Sequence, residues 1–267
     1  GTEYTPMAEL QTNSTVNYQG MLYEFSGYTS TYKNTYKTGT TNYREPTLIT
    51  GNNSDTSADV SSVSGNTYDA SAGYYNTILG YTSAVNFGKD LQNQYNKMVE
   101  SVAKYKGFYI GRYELGLENN NPVSKNASKN SNVLTANASN NSTYRWYGLY
   151  KTCKTYNANE NTSTMLWGSQ YDAVMNWMVK QGKNVGDKNE SKTNTTEITG
   201  KNSADILNNI YDLYGGHKEW TLEGTYNNQR STRGGIYDDL YAPADRYSKE
   251  PDQTAKGNNT RLSIYIN

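Results

Sequence analysis

Two stretches of this chain carry apolar residues at helical spacing, and neither continues into a third, which confines the fold to a mixed one. Leu91, Tyr95, Met98, Val99 and Val102 mark one face of an amphipathic helix predicted over residues 89–105 and stopped by Gly107. Leu166, Tyr171, Val174, Met175 and Met178 mark a second over residues 166–181, with Ser169 as its expected N-cap and Gly182 as its stop. Trp167 and Trp177 are expected to pack at its ends. Short β-prone runs surround these helices. Residues 108–114 read as a central strand, residues 146–150 as a short returning strand, and Leu262, Ser263, Ile264, Tyr265 and Ile266 as a closing strand. Met21, Leu22, Tyr23 and Phe25 suggest another near the start. Residues 118–143 and 184–202 are polar and aperiodic and read as long loops, and residues 206–220 form a compact apolar pattern around Gly215 and Gly216. The expected class is α+β, with two main helices, short antiparallel strands and long irregular loops.

The side-chain inventory narrows the chemistry. Cys153 is the one cysteine and His217 the one histidine, so a disulfide within the chain, a zinc knuckle and any two-imidazole mechanism are excluded, and the fold must rest on its core. Lys and Arg number 25, as do Asp and Glu, so no net field draws the chain to nucleic acid or an anionic membrane. No apolar run has the length of a membrane span, and the residues after Gly1 lack the pattern of a leader peptide, which leaves the compartment open. The chain has 27 Tyr against 3 Phe among abundant Asn, Ser and Thr, a mixture that suits exposed adhesive surfaces and equally suits a loop-rich secreted protein.

No nucleophile elbow, phosphate-binding loop or dinucleotide fingerprint occurs. Asp238, Asp239 and Asp245 could be paired acids for glycoside hydrolysis, but adjacent acids in a turn are far more often solvated. No catalytic residue, metal ligand or cofactor is therefore assigned. Residues 234–259 hold few core-forming side chains but carry Tyr237, Tyr241 and Tyr247 among carboxylates. Aromatic anchors ringed by polar groups are a common means of gaining affinity at interfaces, while a plain polar loop is the simpler alternative.

Four runs in order, YKGFYIGRYELG (residues 105–116), MLWGSQYDAVMNWM (165–178), NNIYDLYGGHKEWT (208–221) and RGGIYDD running on to TRLSIYIN (233–267), resemble the formylglycine-generating-enzyme branch of the C-type lectin fold. The resemblance covers about residues 88–267 and leaves residues 1–87 as a Tyr/Asn/Ser/Thr-rich extension. It implies that Trp146, Trp167, Trp177 and Trp220 pack in the core, that Arg233, Gly234, Gly235, Pro243, Ala244, Arg246 and Pro251 are framework, and that Thr260 stands where an aromatic is usual. The copper and iron sites of the family's enzymes need more Cys or His ligands than this chain has. Gly216 stands where the family's calcium site would have an Asn, so Asp212 and Glu219 read as structural rather than calcium-binding carboxylates.

A scaffold of this kind without its enzymatic ligands is similar to the variable proteins of diversity-generating retroelements, in which adenine-directed mutagenesis rewrites Asn-type codons near the C-terminus, here residues 233–267. Ile236, Asp238, Asp239, Tyr241, Asp245, Tyr247 and Ser248 are types reachable in that way and are the expected ligand contacts; Lys249, Glu250, Gln253 and Lys256 are not reachable. The resemblance implies a non-enzymatic receptor-binding or adhesion protein of a phage tail or bacterial surface, with a protein or host-surface receptor as its ligand. A carbohydrate-binding module, a degenerate enzyme of the family and a purely structural virion or cell-wall protein are the alternatives.

Overall fold

The computed structural model of the protein describes residues 43–44, 78–82, 84–118, 121–126, 132–133, 146–156, 161–183, 185, 199–200, 206–225, 230–235, 243–244, 246–249, 251 and 258–266. The expected strand at Met21–Phe25 lies outside them. Helix α1 (Ala84–Tyr105) buries Phe87, Leu91, Tyr95, Met98 and Val102, spaced four, four, three and four apart as one face of a 3.6-residue helix requires. Each such side chain contributes about 2 kcal/mol by leaving water. The helix begins five residues earlier than expected and ends at Tyr105, where it was expected to end. Lys106 takes the left-handed conformation (φ 63°), and its N–H bonds the Val102 carbonyl at 2.8 Å.

The longest strand, β9 (Lys218–Thr225), organises the larger sheet. On one side it pairs antiparallel with β10 (Arg230–Arg233), which in turn pairs with β11 (Arg246–Lys249). Its other side is shared: β12 (Asn258–Thr260) runs parallel to it at Lys218–Trp220, and β1 (Tyr43–Arg44) pairs at Gly224 and Thr225. A strand of the N-terminal extension is thus an edge of this sheet.

A second sheet has the order β2 (Tyr109–Ile110), β13 (Leu262–Ile266), β6 (Asn161–Met165). The closing strand is as expected, and it is the central one. The run at residues 108–114 is not. Only two of its residues form a ladder, at the sheet edge, because the Gly111 carbonyl turns to the Arg261 guanidinium and the Arg112 carbonyl is shared between that group and Tyr211 N–H. Gly111 N–H to Leu262 and Leu115 N–H to Thr260 still bind the run to the closing segment.

The expected returning strand at residues 146–150 is helical. Helix α2 (Trp146–Thr155) buries Trp146, Tyr147, Leu149, Tyr150 and Cys153. Aromatic composition favours a strand locally, but the helix stacks Trp146 on Tyr150, one turn on, at 5.4 Å and 13° and sets both rings against Phe87 of α1. Burial outweighs propensity here. The loop expected at residues 118–143 also contains structure: β3 (Gly116–Glu118) lies between β4 (Asn121–Val123) and β5 (Asn132–Val133).

Helix α3 (Gly168–Lys180) stands where it was predicted. Its cap is not Ser169, which lies within the first turn and is buried. Trp167 precedes the helix, its carbonyl accepting from Tyr171 N–H at 3.0 Å, and the Gln170 side chain reaches back to Trp167 N–H at 3.1 Å, the reciprocal half of a capping box. At the other end Gly182 has φ +75°, and Lys183 N–H bonds the Met178 carbonyl, a Schellman stop. After α3, β7 (Ile206–Leu207) and β8 (Ile210–Tyr211) form a hairpin whose two linking residues, Asn208 and Asn209, both have positive φ, as a type I′ turn needs.

Two apolar clusters result. One joins α1, α2 and the inner faces of β6, β9 and β13, with Trp146, Trp167 and Trp220 wholly buried. The other packs α3 on Leu207, Ile210, Leu213, Tyr214 and Ala244, with Trp177 half-buried at its margin. Among the described residues, no helix is long and apolar enough to cross a membrane.

Candidate functional site

The segment from 234 to 259 leaves the core at a fixed point. Arg233, fully buried at the end of β10, pairs with Asp172 of α3 at 2.9 Å, and its guanidinium lies 4.4 Å from the centre of the Tyr171 ring. Gly234 has φ +82°. Gly235 donates to the Leu213 carbonyl at 3.1 Å and passes so close to the next residue that an added Cβ would stand 1.8 Å from the Tyr214 carbonyl oxygen. Only glycine fits there.

Further along, the segment is tied down again. The Tyr171 hydroxyl donates to the Pro243 carbonyl at 3.0 Å, Ala244 N–H to Val185 at 3.0 Å, and Trp146 N–H to the Pro251 carbonyl at 3.2 Å. Arg246 opens β11 opposite Arg233, and all four residues of β10 are buried, so both faces of that strand are covered. Of the seven expected contact residues, Tyr247 and Ser248 occupy consecutive positions of β11, in register with Thr232 and Ser231. Ile236, Asp238, Asp239, Tyr241 and Asp245 lie outside the described residues.

Beneath this frame is a buried ionic network that the sequence alone did not reveal. Arg261, wholly buried between β12 and β13, uses all five of its donors: Nε and Nη2 on the Glu219 carboxylate, Nη1 on the carbonyls of Gly111 and Arg112 at 2.9 Å each, and Nη2 on Tyr211 at 2.7 Å. Glu114 accepts from His217 N–H at 2.8 Å and from the Asn259 amide at 3.1 Å, and that amide also donates to the Leu115 carbonyl. Asp212 accepts from the Thr199 hydroxyl at 2.8 Å and from Gly200 N–H at 2.7 Å, which pins the end of the 184–202 loop. Gly216, at φ +65°, leaves room for Glu114, whose oxygen would be 2.5 Å from an added Cβ.

Three buried carboxylates thus lie within electrostatic range of one guanidinium, but only Glu219 is bonded to it. Burial, and then the neighbouring Glu114 charge, pushes Asp212 up to about 6 against the opposing donors from Thr199 and Gly200. Burial pushes Glu219 up to about 7, with Arg261 pulling the other way. Asp212 and Glu219, weighed above as calcium ligands, here spend their oxygens on protein donors. Among the described residues, no three His, Cys, Asp or Glu side chains converge so as to hold a metal ion.

A different opening lies at the far end of α1. An open groove of about 610 Å³ runs between the last three turns of that helix and the ends of β6 and β13, lined by Lys97, Glu100, Ser101, Lys104, Tyr105 and Thr162 with Tyr265 and Ile266. No periodicity could have shown the groove, because its other wall comes from residues more than fifty positions away.

No family model, curated protein or solved structure matches the chain.

Proposed function

We propose that this chain is a non-enzymatic ligand-binding protein of the C-type-lectin-like kind, presenting a diversified C-terminal surface to a protein receptor at a phage tail or bacterial surface. The observation that carries the reading is the way residues 234–259 are held. The segment is anchored at Gly234–Gly235, at Pro243–Ala244, along the backbone of β11, at Pro251 and at Asn258–Thr260, so side-chain changes between or on those points that leave the backbone pairing intact need not disturb the core. A rigid scaffold carrying exchangeable loops is the arrangement by which binding surfaces vary without loss of fold.

The direct test exchanges Ile236, Asp238, Asp239, Tyr241, Asp245, Tyr247 and Ser248 together for other adenine-reachable residues. The expected result is a changed pattern of proteins bound from host-surface extracts with thermal unfolding almost unaltered. Unfolding of most such exchanges would place these residues in the core and end the proposal. The coding locus gives an independent check, since diversification requires a nearby reverse transcriptase and a template copy of the DNA for residues 233–267.

A further inference from the structure

The groove beside α1 shares no residue with the segment just described and is built on the other sheet. Its lining is polar and bifunctional. Lys97 and Lys104 supply ammonium donors, Glu100 between them supplies an acceptor, and Ser101 and Thr162 line the same space. Ser101 commits its proton to the Ile266 carbonyl at 2.6 Å, which leaves its oxygen as an acceptor and closes the groove floor. The two lysines are seven residues apart on the helix, about 10 Å along its axis, with one turn between each and Glu100.

At the end of this row stands an aromatic surface. Tyr105 is 40 % exposed, with the Lys104 ammonium 4.8 Å from its ring centre. On the neighbouring strand Tyr109 is 64 % exposed, opposite Ile264, two residues along β13 from the groove-lining Ile266. These are two of the three large exposed hydrophobic side chains among the described residues, and of the two only Tyr105 lines the groove.

We infer that this groove is a second binding site, taking an acidic saccharide chain such as a uronate polymer. An open trough suits an extended chain rather than an enclosed small molecule. Alternating donors and acceptors suit ring hydroxyls, and the partly exposed Tyr105 ring offers apolar surface against which a sugar ring can pack once Lys104 turns to the ligand. Two ammonium groups against one carboxylate leave one positive charge in excess, which favours a chain bearing carboxylates over a neutral one. Among the described residues no set of acidic side chains converges there to hold a metal ion, so the assignment invokes none.

The test titrates the full chain with a hexamer of galacturonate and with maltohexaose as the neutral counterpart, following heat and the shifts of tyrosine resonances. The acidic oligomer is expected to bind at least tenfold more tightly, and to weaken as salt rises from about 50 mM to about 0.5 M. Lys97→Gln and Lys104→Gln should each weaken it about threefold, the range of an exposed ion pair, and together about tenfold. Tyr105→Ala should weaken it about tenfold. The seven exchanges in residues 236–248 should leave it unchanged. The lysines are exposed and glutamine is a good helix former, so these variants retain the fold, which circular dichroism checks. Absence of binding at millimolar oligomer, equal binding of maltohexaose, or lysine dependence without Tyr105 dependence would each overturn the assignment, the last by reducing the groove to simple ion exchange.

Discussion

Replacing Arg261 by methionine tests whether the buried ionic network holds the two sheets together. The variant keeps the volume of the aliphatic stem but removes every donor. Glu219 loses its bidentate partner, and the carbonyls of Gly111 and Tyr211 lose theirs, whereas the Arg112 carbonyl retains Tyr211 N–H at 2.9 Å. An orphaned buried partner of an ion pair costs about 3–5 kcal/mol, and two part-buried carbonyls that water can reach in part add about 0.5 kcal/mol each, so a loss of about 5 kcal/mol is expected. That is a large part of the total stability of most domains.

The loss has a pH signature. Burial already pushes the Glu219 carboxyl above its ordinary range, and without Arg261 it rises further. A carboxyl raised in the folded state carries no penalty below its unfolded pKa, and the penalty grows to its full size as pH rises through the folded value. Urea unfolding should therefore show a smaller difference between variant and parent at pH 5 than at pH 8. Arg261→Lys, which keeps one charge but not the planar fork, should lose about 2 kcal/mol. Adding Glu219→Leu to Arg261→Met should recover part of the loss, because no buried charge is then left alone. A loss under about 1 kcal/mol at both pH values, or a double variant as unstable as the sum of its parts, would refute the reasoning.

Four further outcomes are expected. Asp212, pushed up to about 6 in the folded chain, makes stability fall as pH rises from about 4 through 6; Asp212→Asn, which can still accept from Thr199 and Gly200, should abolish that slope and gain about 2 kcal/mol at pH 8 by urea unfolding. Gly235→Ala should cost more than about 4 kcal/mol in Tm-derived stability, because its Cβ meets backbone that cannot rotate away, whereas Gly107→Ala, with open space at its Cβ, should be near neutral. Lys106→Gly should stabilise by about 1 kcal/mol in the same measurement, by relieving the left-handed residue at the end of α1. Cys153, wholly buried with its thiol pushed up to about 12 by that burial, should resist alkylation at pH 8 for hours in the folded chain and react within minutes in urea, followed by mass spectrometry.

The sequence by itself determined those parts whose cause is local. Helices α1 and α3 are legible because a buried stripe repeats every three to four residues, the stop of α3 because Gly182 alone accepts a left-handed turn cheaply, and the closing strand because alternation and β-branched residues suit a sheet. Arg233, Gly234 and Gly235 were marked as framework, and they sit in the core at the origin of the expected binding segment.

The tertiary structure decided what depends on distant partners. Residues 146–150 are helical because their rings pack on Phe87, some sixty positions earlier, and the strand at 108–114 is cut short because Arg261, about 150 positions later, takes its carbonyls. Nothing in the local composition of either run records those partners. The same reason hid the buried network around Arg261 and the groove beside α1, whose two walls meet only after the chain has folded back on itself. Local periodicity reports which face of an element is covered, but the hydrogen-bonding partner of a buried carbonyl or carboxylate is a property of the packed whole.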